Sequence, residues 1–288
     1  VIVMFAGQRA ALLLTRPRVA HFSQVPAVHQ SISGRTRFYK KVDVIPTPDG
    51  KAGQYSITLD GRVLKTPGRN PLILPNLNLA MSIAAEWDAQ TNKRMGIQPV
   101  NMPMMSIAST AIDQIQVDRT HAVDTCMRYL PTDTALFHAP DYDRILQAQQ
   151  KKHFLPVLEW AQKELDMNLA TSQSMAGRIE HPEAAYNKLR SILEKMDYYT
   201  LTCVQGATLE CKSILLSLAF ISRFIDLEKA IAASRIEEEF QVEIWGVVEG
   251  GHDMDRLNNA VRLSSVGTFM SMYLDHEQIQ QQWKRWKE

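Results

Sequence analysis

The sequence contains few cysteines, and this scarcity excludes several classes of protein. There are three, Cys126, Cys203 and Cys211, an odd number without a CxxC pair. Such a set fits neither a disulfide framework nor a zinc site. If one helix carries Cys203 and Cys211, they stand about two turns apart, roughly 12 Å by the helical rise, which is too far for a disulfide. We expect three buried thiols and a reducing compartment.

The sequence also lacks a long apolar run and a large excess of one charge. The most apolar stretch, 213–222, spans ten residues, whereas a membrane-spanning helix needs about 20. The net charge of +1 favours neither nucleic acid nor an anionic membrane surface. Charged residues make up 22% and hydrophobic residues 45% of the chain, as in an ordinary folded protein with a sizeable core. We therefore expect no membrane insertion and no nucleic-acid partner, and we interpret 213–222 as a buried core helix.

Acidic residues are missing from the start of the chain, where the first is Asp43. Residues 1–34 contain Arg9, Arg16 and Arg18 and are rich in Ser, Ala and Leu. This composition is typical of a mitochondrial transit peptide, although a basic tail without a targeting role is the alternative.

After this segment the pattern predicts a small antiparallel sheet. Residues 55–59 alternate apolar and polar, Asp60-Gly61 is a strong hairpin signal, and 62–65 resume the strand. An earlier strand is predicted at 38–45. A short edge strand is predicted at 71–75, between two prolines.

Beyond residue 76 the pattern becomes helical. Asn76 or Asn78 is predicted to cap a helix that extends to residue 93, with Gly96 as its stop. Helices are then predicted at about 104–120, 121–130, 141–165, 182–196, 198–222, 227–247 and 253–275, with Asp141, Asp226 and Asp253 as caps. Pro156 should kink or split its helix.

These elements predict an α+β fold, in which a small antiparallel β-rich N-terminal domain precedes a larger all-helical domain. The predicted divisions are the transit peptide at 1–34, the β-rich domain at 35–103 and the helical domain at 104–288.

Two segments partly match catalytic or ligand motifs. Gly206 to Ser213 matches a phosphate-binding P-loop at its first glycine and at Lys212-Ser213, but Cys211 replaces the glycine before the lysine, which that loop requires. We interpret Lys212 as a charged position on a packed helix. His252-Asp253 could ligate a metal, but the other histidines show no supporting spacing, and a helix cap is the simpler interpretation. No cofactor or metal is expected.

A third segment, 233–247, combines an apolar stripe with glutamates. Ala233, Ile236, Phe240, Ile244 and Val247 recur at helical spacing, while Glu237, Glu238, Glu239 and Glu243 lie off that stripe. An amphipathic helix with a solvated acidic face explains this pattern. A surface that binds a basic partner segment explains it too.

Several segments resemble one family. They are Arg37-Phe-Tyr-Lys40, Leu59-Asp-Gly-Arg62 with Leu64-Lys-Thr-Pro67, Ala85-Glu-Trp87-Asp88-x-Gln90, Met102-Pro103, Thr132-Asp-Thr134, Trp160, Ser234-Arg235-x-Glu237-Glu238-x-Phe240-Gln241 and Trp245-Gly246-x-Val-Glu249-x-x-His252-Asp253. In this order the sequence resembles the mitochondrial ATP synthase F(1) complex assembly factor 2 family, the chaperones of the ATP synthase alpha subunit.

The resemblance implies a chaperone of the mitochondrial matrix and not an enzyme. Such a protein would bind the unassembled alpha subunit before it pairs with beta subunits, and displacement would release it without a nucleotide. A metal- or nucleotide-dependent hydrolase of the matrix is the alternative function.

The resemblance also suggests roles for individual residues. The expected client-binding residues are Glu249, Glu237, Asp253, Arg235 and Trp245. Glu249 is the strongest candidate because neither capping nor the apolar stripe requires it. Trp87 is expected to be structural, since a tryptophan on the apolar side of a helix usually seals a core. Asp60 and Gly61 are expected to form a structural turn.

Overall fold

The structure is a computed structural model that describes residues 34–48, 50–90, 96–173 and 177–288. The transit peptide expected at 1–34 therefore lies, apart from Gly34, outside the described residues. In the described part the α+β prediction is confirmed, because a small antiparallel sheet near the N-terminus precedes a long series of helices. No helix in these ranges is long and apolar enough to cross a bilayer.

Three strands form the sheet: β1 (Val42–Pro46), β2 (Tyr55–Leu59) and β3 (Arg62–Val63). They pair antiparallel in the order β1-β2-β3, with Val44 opposite Ile57 and Leu59 opposite Arg62. The strand predicted at 38–45 begins later than expected. The edge strand predicted at 71–75 is reduced to isolated bridges, Tyr55 with Leu74 and Lys65 with Pro71, because prolines at both of its ends cannot donate backbone hydrogen bonds.

The predicted turn between β2 and β3 is confirmed. Asp60 and Gly61 both have positive φ, 49° and 80°, as a tight two-residue hairpin requires. The Asp60 carboxylate also accepts hydrogen bonds from the backbone N–H groups of Lys40 (3.0 Å) and Lys41 (2.8 Å). These bonds lower the pKa of Asp60 and hold the chain before β1 beside the turn.

The α-helices of the described residues are numbered in chain order. They are α1 (Leu77–Asp88), α2 (Pro103–Thr110), α3 (Arg119–Met127), α4 (Arg144–Leu165), α5 (Glu183–Lys195), α6 (Tyr198–Cys211), α7 (Ile214–Ile221), α8 (Leu227–Ser234), α9 (Ile236–Trp245), α10 (His252–Tyr273) and α11 (His276–Lys287). A π-helical turn at Ala111–Ile115 continues α2.

The core is continuous from the sheet to the last helix. Every residue of α7 is buried, which confirms the predicted core helix. The three cysteines are buried and free, as predicted. Burial raises the pKa of Cys126 to about 12, so this thiol stays protonated at neutral pH.

Two predicted helices are each divided in the structure. The helix expected at 198–222 breaks where Lys212 adopts a left-handed conformation, and Ser213 then caps α7 by accepting a hydrogen bond from the N–H of Leu216 at 3.0 Å. The helix expected at 227–247 breaks at Arg235, whose φ of −124° is not helical. In both cases the apolar periodicity of the sequence continues across the break, so the sequence pattern does not reveal it.

The predicted caps are only partly correct. Asn76 and Asp226 cap α1 and α8. Asp141 does not cap α4, because Asp143 accepts the capping hydrogen bond from Leu146. Asp253 is not a cap either, since α10 begins at His252 and Asp253 lies within its first turn.

Other helix limits also differ from the prediction. Pro156 does not split α4, which is continuous from Arg144 to Leu165. The first helix ends at Asp88, before the predicted stop at Gly96, and residues 91–95 lie outside the described ranges. The stretch 104–120 holds α2 and the π-helical turn, and the tail forms α11, with Trp283 and Trp286 buried.

Candidate functional site

The connection between α9 and α10 and the adjoining parts of both helices are unusually apolar for a solvent-exposed region. Seven apolar side chains here are between 47% and 76% exposed, and Trp245 is the most exposed. We call this set the apolar tip; it consists of Ile244, Trp245, Val247, Val248, Met254, Leu257 and Val261. Exposed apolar groups gathered in one region are characteristic of protein interaction sites, because a soluble protein otherwise buries them.

Backbone geometry holds the apolar tip in place. Helix α9 ends at Gly246, whose φ of +85° stops the helix. The chain then folds back, because the N–H of His252 donates to the Val248 carbonyl at 3.2 Å. The N–H of Val248 in turn donates to Nδ1 of His252 at 3.1 Å. His252 thus stabilises the loop through two hydrogen bonds to Val248. The sequence had suggested a metal ligand or a helix cap at His252-Asp253 and did not reveal this role.

Glu239 ties α9 to α10 at the base of the tip. Its carboxylate accepts from Nε of Arg235 at 3.0 Å and from Nε of Arg256, on α10, at 2.9 Å. The hydrogen bonds from Arg256 are the main reason that the pKa of Glu239 is lowered. Arg235 is only 7% exposed, so most of its side chain is withdrawn from solvent at the junction of α8 and α9.

The other two glutamates of the run 237–239 also have internal partners. Glu237 is partly buried, and its carboxylate accepts a long hydrogen bond (3.5 Å) from Nε2 of Gln150 on α4. Burial, followed by the neighbouring Glu238 charge, raises the pKa of Glu237. Glu238 forms an ion pair with Lys212. The run therefore joins α9 to its neighbours and does not form a free acidic face.

Free carboxylates lie instead around the apolar tip. Four exposed acids make no salt bridge with any described residue: Glu243, Glu249, Asp253 and Asp255. Glu249, in the loop, and Asp253, in the first turn of α10, are among the expected client-binding residues. The surface thus combines exposed apolar side chains with unpaired negative charge, a combination suited to a partner that carries apolar and basic residues.

The expected structural residues lie far along the chain from this surface. Trp87 is 3% exposed, and its carbonyl accepts a hydrogen bond from the Tyr39 hydroxyl at 2.6 Å. The two rings meet edge to face with centroids 5.7 Å apart. Arg37 reinforces this contact by donating to the carbonyls of Asp88 (2.7 Å) and Gln90 (2.8 Å).

The two alternative catalytic segments have other structural roles. Gly206 is buried within α6, where its backbone N–H belongs to a helix and cannot wrap a phosphate. Lys212 is paired with Glu238. His252 is occupied by the loop, and nowhere in the described ranges do three His, Cys, Asp or Glu side chains cluster as a metal site would require.

A separate cavity of about 510 Å³ lies beside α4 and α11. The Trp160 ring stacks on Phe224 at 5.3 Å and on Trp283 at 5.4 Å. Trp160 and Trp283 are buried, so this stack packs the two helices together.

The contribution of α10 to this surface is not evident from the sequence. Met254, Leu257 and Val261 recur at helical spacing, a pattern that normally predicts a buried face. The same holds for Ile244 and Val247, which end the stripe predicted for α9 but are 54% and 49% exposed. An apolar stripe does not reveal whether another element of the same chain covers it.

Comparison with known proteins supports a chaperone. A profile of the ATP12 chaperone protein family matches residues 36–162. The chain is 29% identical over 222 residues to the mitochondrial protein atp12 of Schizosaccharomyces pombe, covering 74% of this chain and 76% of that protein. It is 22% identical over 277 residues to the mitochondrial protein ATP12 of Saccharomyces cerevisiae, covering 81% and 83%. The crystal structure of Atp12 from Paracoccus denitrificans matches with a TM-score of 0.74 and 29% identity, covering 83% of this chain and 98% of that one.

Proposed function

The chain belongs to the ATP12 chaperone family, and on this premise we propose that it binds the unassembled alpha subunit of the mitochondrial ATP synthase head. In this proposal it holds the alpha subunit until beta subunits pair with it. The segments that carry the family resemblance support the choice of client. The protein acts by binding and catalyses no reaction of its own.

The apolar tip is the observation that carries this proposal. An unassembled subunit exposes apolar surface that its final partner will cover, and such surface aggregates when it is left free. The tip offers a matching apolar surface whose seven side chains are at least 47% exposed. Binding there removes apolar area from water on both proteins, and this burial favours the complex.

Three of the expected residues contact the client directly. Trp245 is the central anchor, since an exposed tryptophan at an interface often contributes a large share of the binding energy. Glu249 and Asp253 attract basic side chains of the client and favour the correct orientation. Arg235 and Glu237, which are largely withdrawn from solvent, act by positioning α9.

Release requires no nucleotide. A beta subunit that competes for the same alpha surface lowers the concentration of free client, and mass action then empties the chaperone. The binding must therefore be weaker than the final pairing of subunits.

We place this activity in the mitochondrial matrix. The relatives from both yeasts are named as mitochondrial proteins, and the acid-free segment before Asp43 has the composition of a transit peptide. The newly imported client is met in that compartment.

Co-purification tests the function. The chain starting at Gly34 is mixed with separately prepared alpha and beta subunits, and the complexes are isolated. We expect a complex with alpha alone, its loss when beta is added, and no dependence on ATP. Capture of beta in preference to alpha, or a complex that survives an excess of beta, would contradict the proposal.

A further inference from the structure

A second exposed surface lies at the hairpin end of the sheet. Phe38 is 66% exposed and Val63, in β3, is 42% exposed. The hydrogen bonds from the backbone of Lys40 and Lys41 to Asp60 bring the segment before β1 against the β2–β3 turn. We call this surface, formed by Phe38, Lys40, Lys41, Arg62 and Val63, the hairpin end.

The hairpin end has an excess of positive charge. Lys40 and Arg62 are exposed and form no salt bridge with a described residue. The Asp60 carboxylate on the turn accepts hydrogen bonds from backbone N–H groups but keeps its negative charge, which also attracts Lys40. Lys41 pairs with Asp43 at 2.9 Å, but the Lys41 side chain is mostly exposed and that of Asp43 is partly exposed, and such pairs contribute little. This surface thus carries exposed apolar groups together with unpaired cations.

The hairpin end and the apolar tip are chemically complementary. The hairpin end combines the exposed ring of Phe38 with unpaired cations. The apolar tip combines the exposed Trp245 with the unpaired carboxylates of Glu249 and Asp253. We infer that a second copy of this chain is a partner for both: the apolar tip of one copy docks on the hairpin end of another. This rests on the same surface as the proposed function, because client and second copy compete for the tip.

The geometry of this contact is head to tail. The two surfaces come from different parts of the chain, so one such contact leaves one tip and one hairpin end free to pair with further copies or, about a two-fold axis, with each other. Stable interfaces bury about 800 Å² from each partner, whereas the hairpin end exposes only two apolar side chains beside its charges. The association is therefore weak and sensitive to salt. It covers the apolar tip of the unloaded chaperone and gives way when a client binds.

Two single substitutions test the pairing. Trp245→Ser removes the anchor of the tip, and Phe38→Ser removes the anchor of the hairpin end. Both residues are mostly exposed, so neither change should alter the unfolding midpoint. Val117→Ser is the matched control, because Val117 is 77% exposed and belongs to neither surface. Sedimentation velocity of the chain starting at Gly34 is measured over a concentration series at low and at 0.5 M salt, a level at which screening acts within about 4 Å.

We expect the average mass of the wild-type chain and of Val117→Ser to rise with concentration at low salt and to fall back to the monomer at high salt. Each anchor variant alone should remain monomeric up to a concentration at least fivefold higher than the wild-type chain does. An equimolar mixture of the two variants should form dimers and nothing larger, because only one intact pairing remains, between the tip of Phe38→Ser and the hairpin end of Trp245→Ser.

A wild-type chain that stays monomeric throughout the low-salt series overturns the inference. The inference is also overturned if the equimolar mixture of the two variants has the same average mass as each variant alone. Capture of the alpha subunit separates this result from the proposed function: Phe38→Ser should retain capture and Trp245→Ser should lose it. If wild-type chain captures no alpha subunit but the mixture still dimerises, the proposed function fails and the self-association stands.

Discussion

The Glu86 carboxylate accepts a hydrogen bond of 2.7 Å from the backbone N–H of Met104. Its other oxygen accepts from the N–H of Met105 at 2.8 Å. Glu86 lies on α1 and the two methionines begin α2, where Met102 provides no side-chain cap. A glutamate 18 residues away thus supplies the N-terminal cap of α2 and joins the two helices.

This relationship gives a pH prediction. Burial raises the pKa of Glu86 from 4.5 to about 7, so between these values the folded protein holds a proton that the unfolded chain has released. Stability therefore falls as pH rises through this window. The buried Asp133, whose pKa is raised to about 6, acts in the same direction. In Glu86→Gln the free energy of unfolding should change less with pH, by roughly 1–3 kcal/mol over this window. Urea unfolding from pH 5 to 8 measures it. Parallel curves for the variant and wild type would contradict it.

Trp87→Arg should destabilise the protein strongly. The substitution places a charge where the indole is 3% exposed and removes the ring that packs on Tyr39, at a cost of about 3–5 kcal/mol. Thermal unfolding measures the loss. Trp245→Arg is the control, because that indole is 76% exposed and its replacement should leave the melting temperature within a few degrees. If Trp87→Arg and the wild-type chain had the same melting temperature, the structural role of Trp87 would be refuted.

Glu249→Lys should leave the fold intact and weaken capture of the alpha subunit. The exposed carboxylate has no internal salt bridge to lose, and its reversal places a repulsive charge opposite basic client residues, a change of about 1–3 kcal/mol, which is roughly 5- to 150-fold in affinity. Pull-down with a titration of alpha subunit measures it. Glu180→Lys, at another exposed loop position, controls for net charge. Equal capture by both variants would rule out a role for Glu249.

Glu239→Ala should loosen the tip without unfolding the rest of the chain. The change removes the partner of Arg256 and leaves the mostly buried Arg235 without its carboxylate, at a cost of about 1–3 kcal/mol. We expect faster amide hydrogen exchange across residues 236–256 and weaker capture of the alpha subunit. Unchanged exchange in that segment would mean that Glu239 does not hold α9 to α10.

Local chemistry made several elements predictable from sequence. Alternation identified β2, Asp60-Gly61 identified its turn, and Asn76 and Asp226 marked the starts of their helices. Each depends on backbone preferences within a few residues. The breaks at Lys212 and Arg235 were not predictable, because their conformations are imposed by the packing of α6 against α7 and of α8 and α9 against α4.

The candidate site divides in the same way. Trp245 and Glu249 were found through the resemblance and are exposed. The acidic run 237–239 was expected to be a solvated face or a surface that binds a basic partner segment. In the structure its three carboxylates instead contact Gln150, Lys212 and Arg256.

The sequence by itself determined the composition of the chain, its α+β order, the residues of its hairpin turn and the caps Asn76 and Asp226, because these depend on neighbours along the backbone. Only the tertiary structure decided which apolar stripe is covered and which carboxylates are paired. Burial and charge pairing depend on residues distant in sequence: Leu216 and Leu257 are equally apolar, yet one is in the core and the other is 58% exposed in the apolar tip.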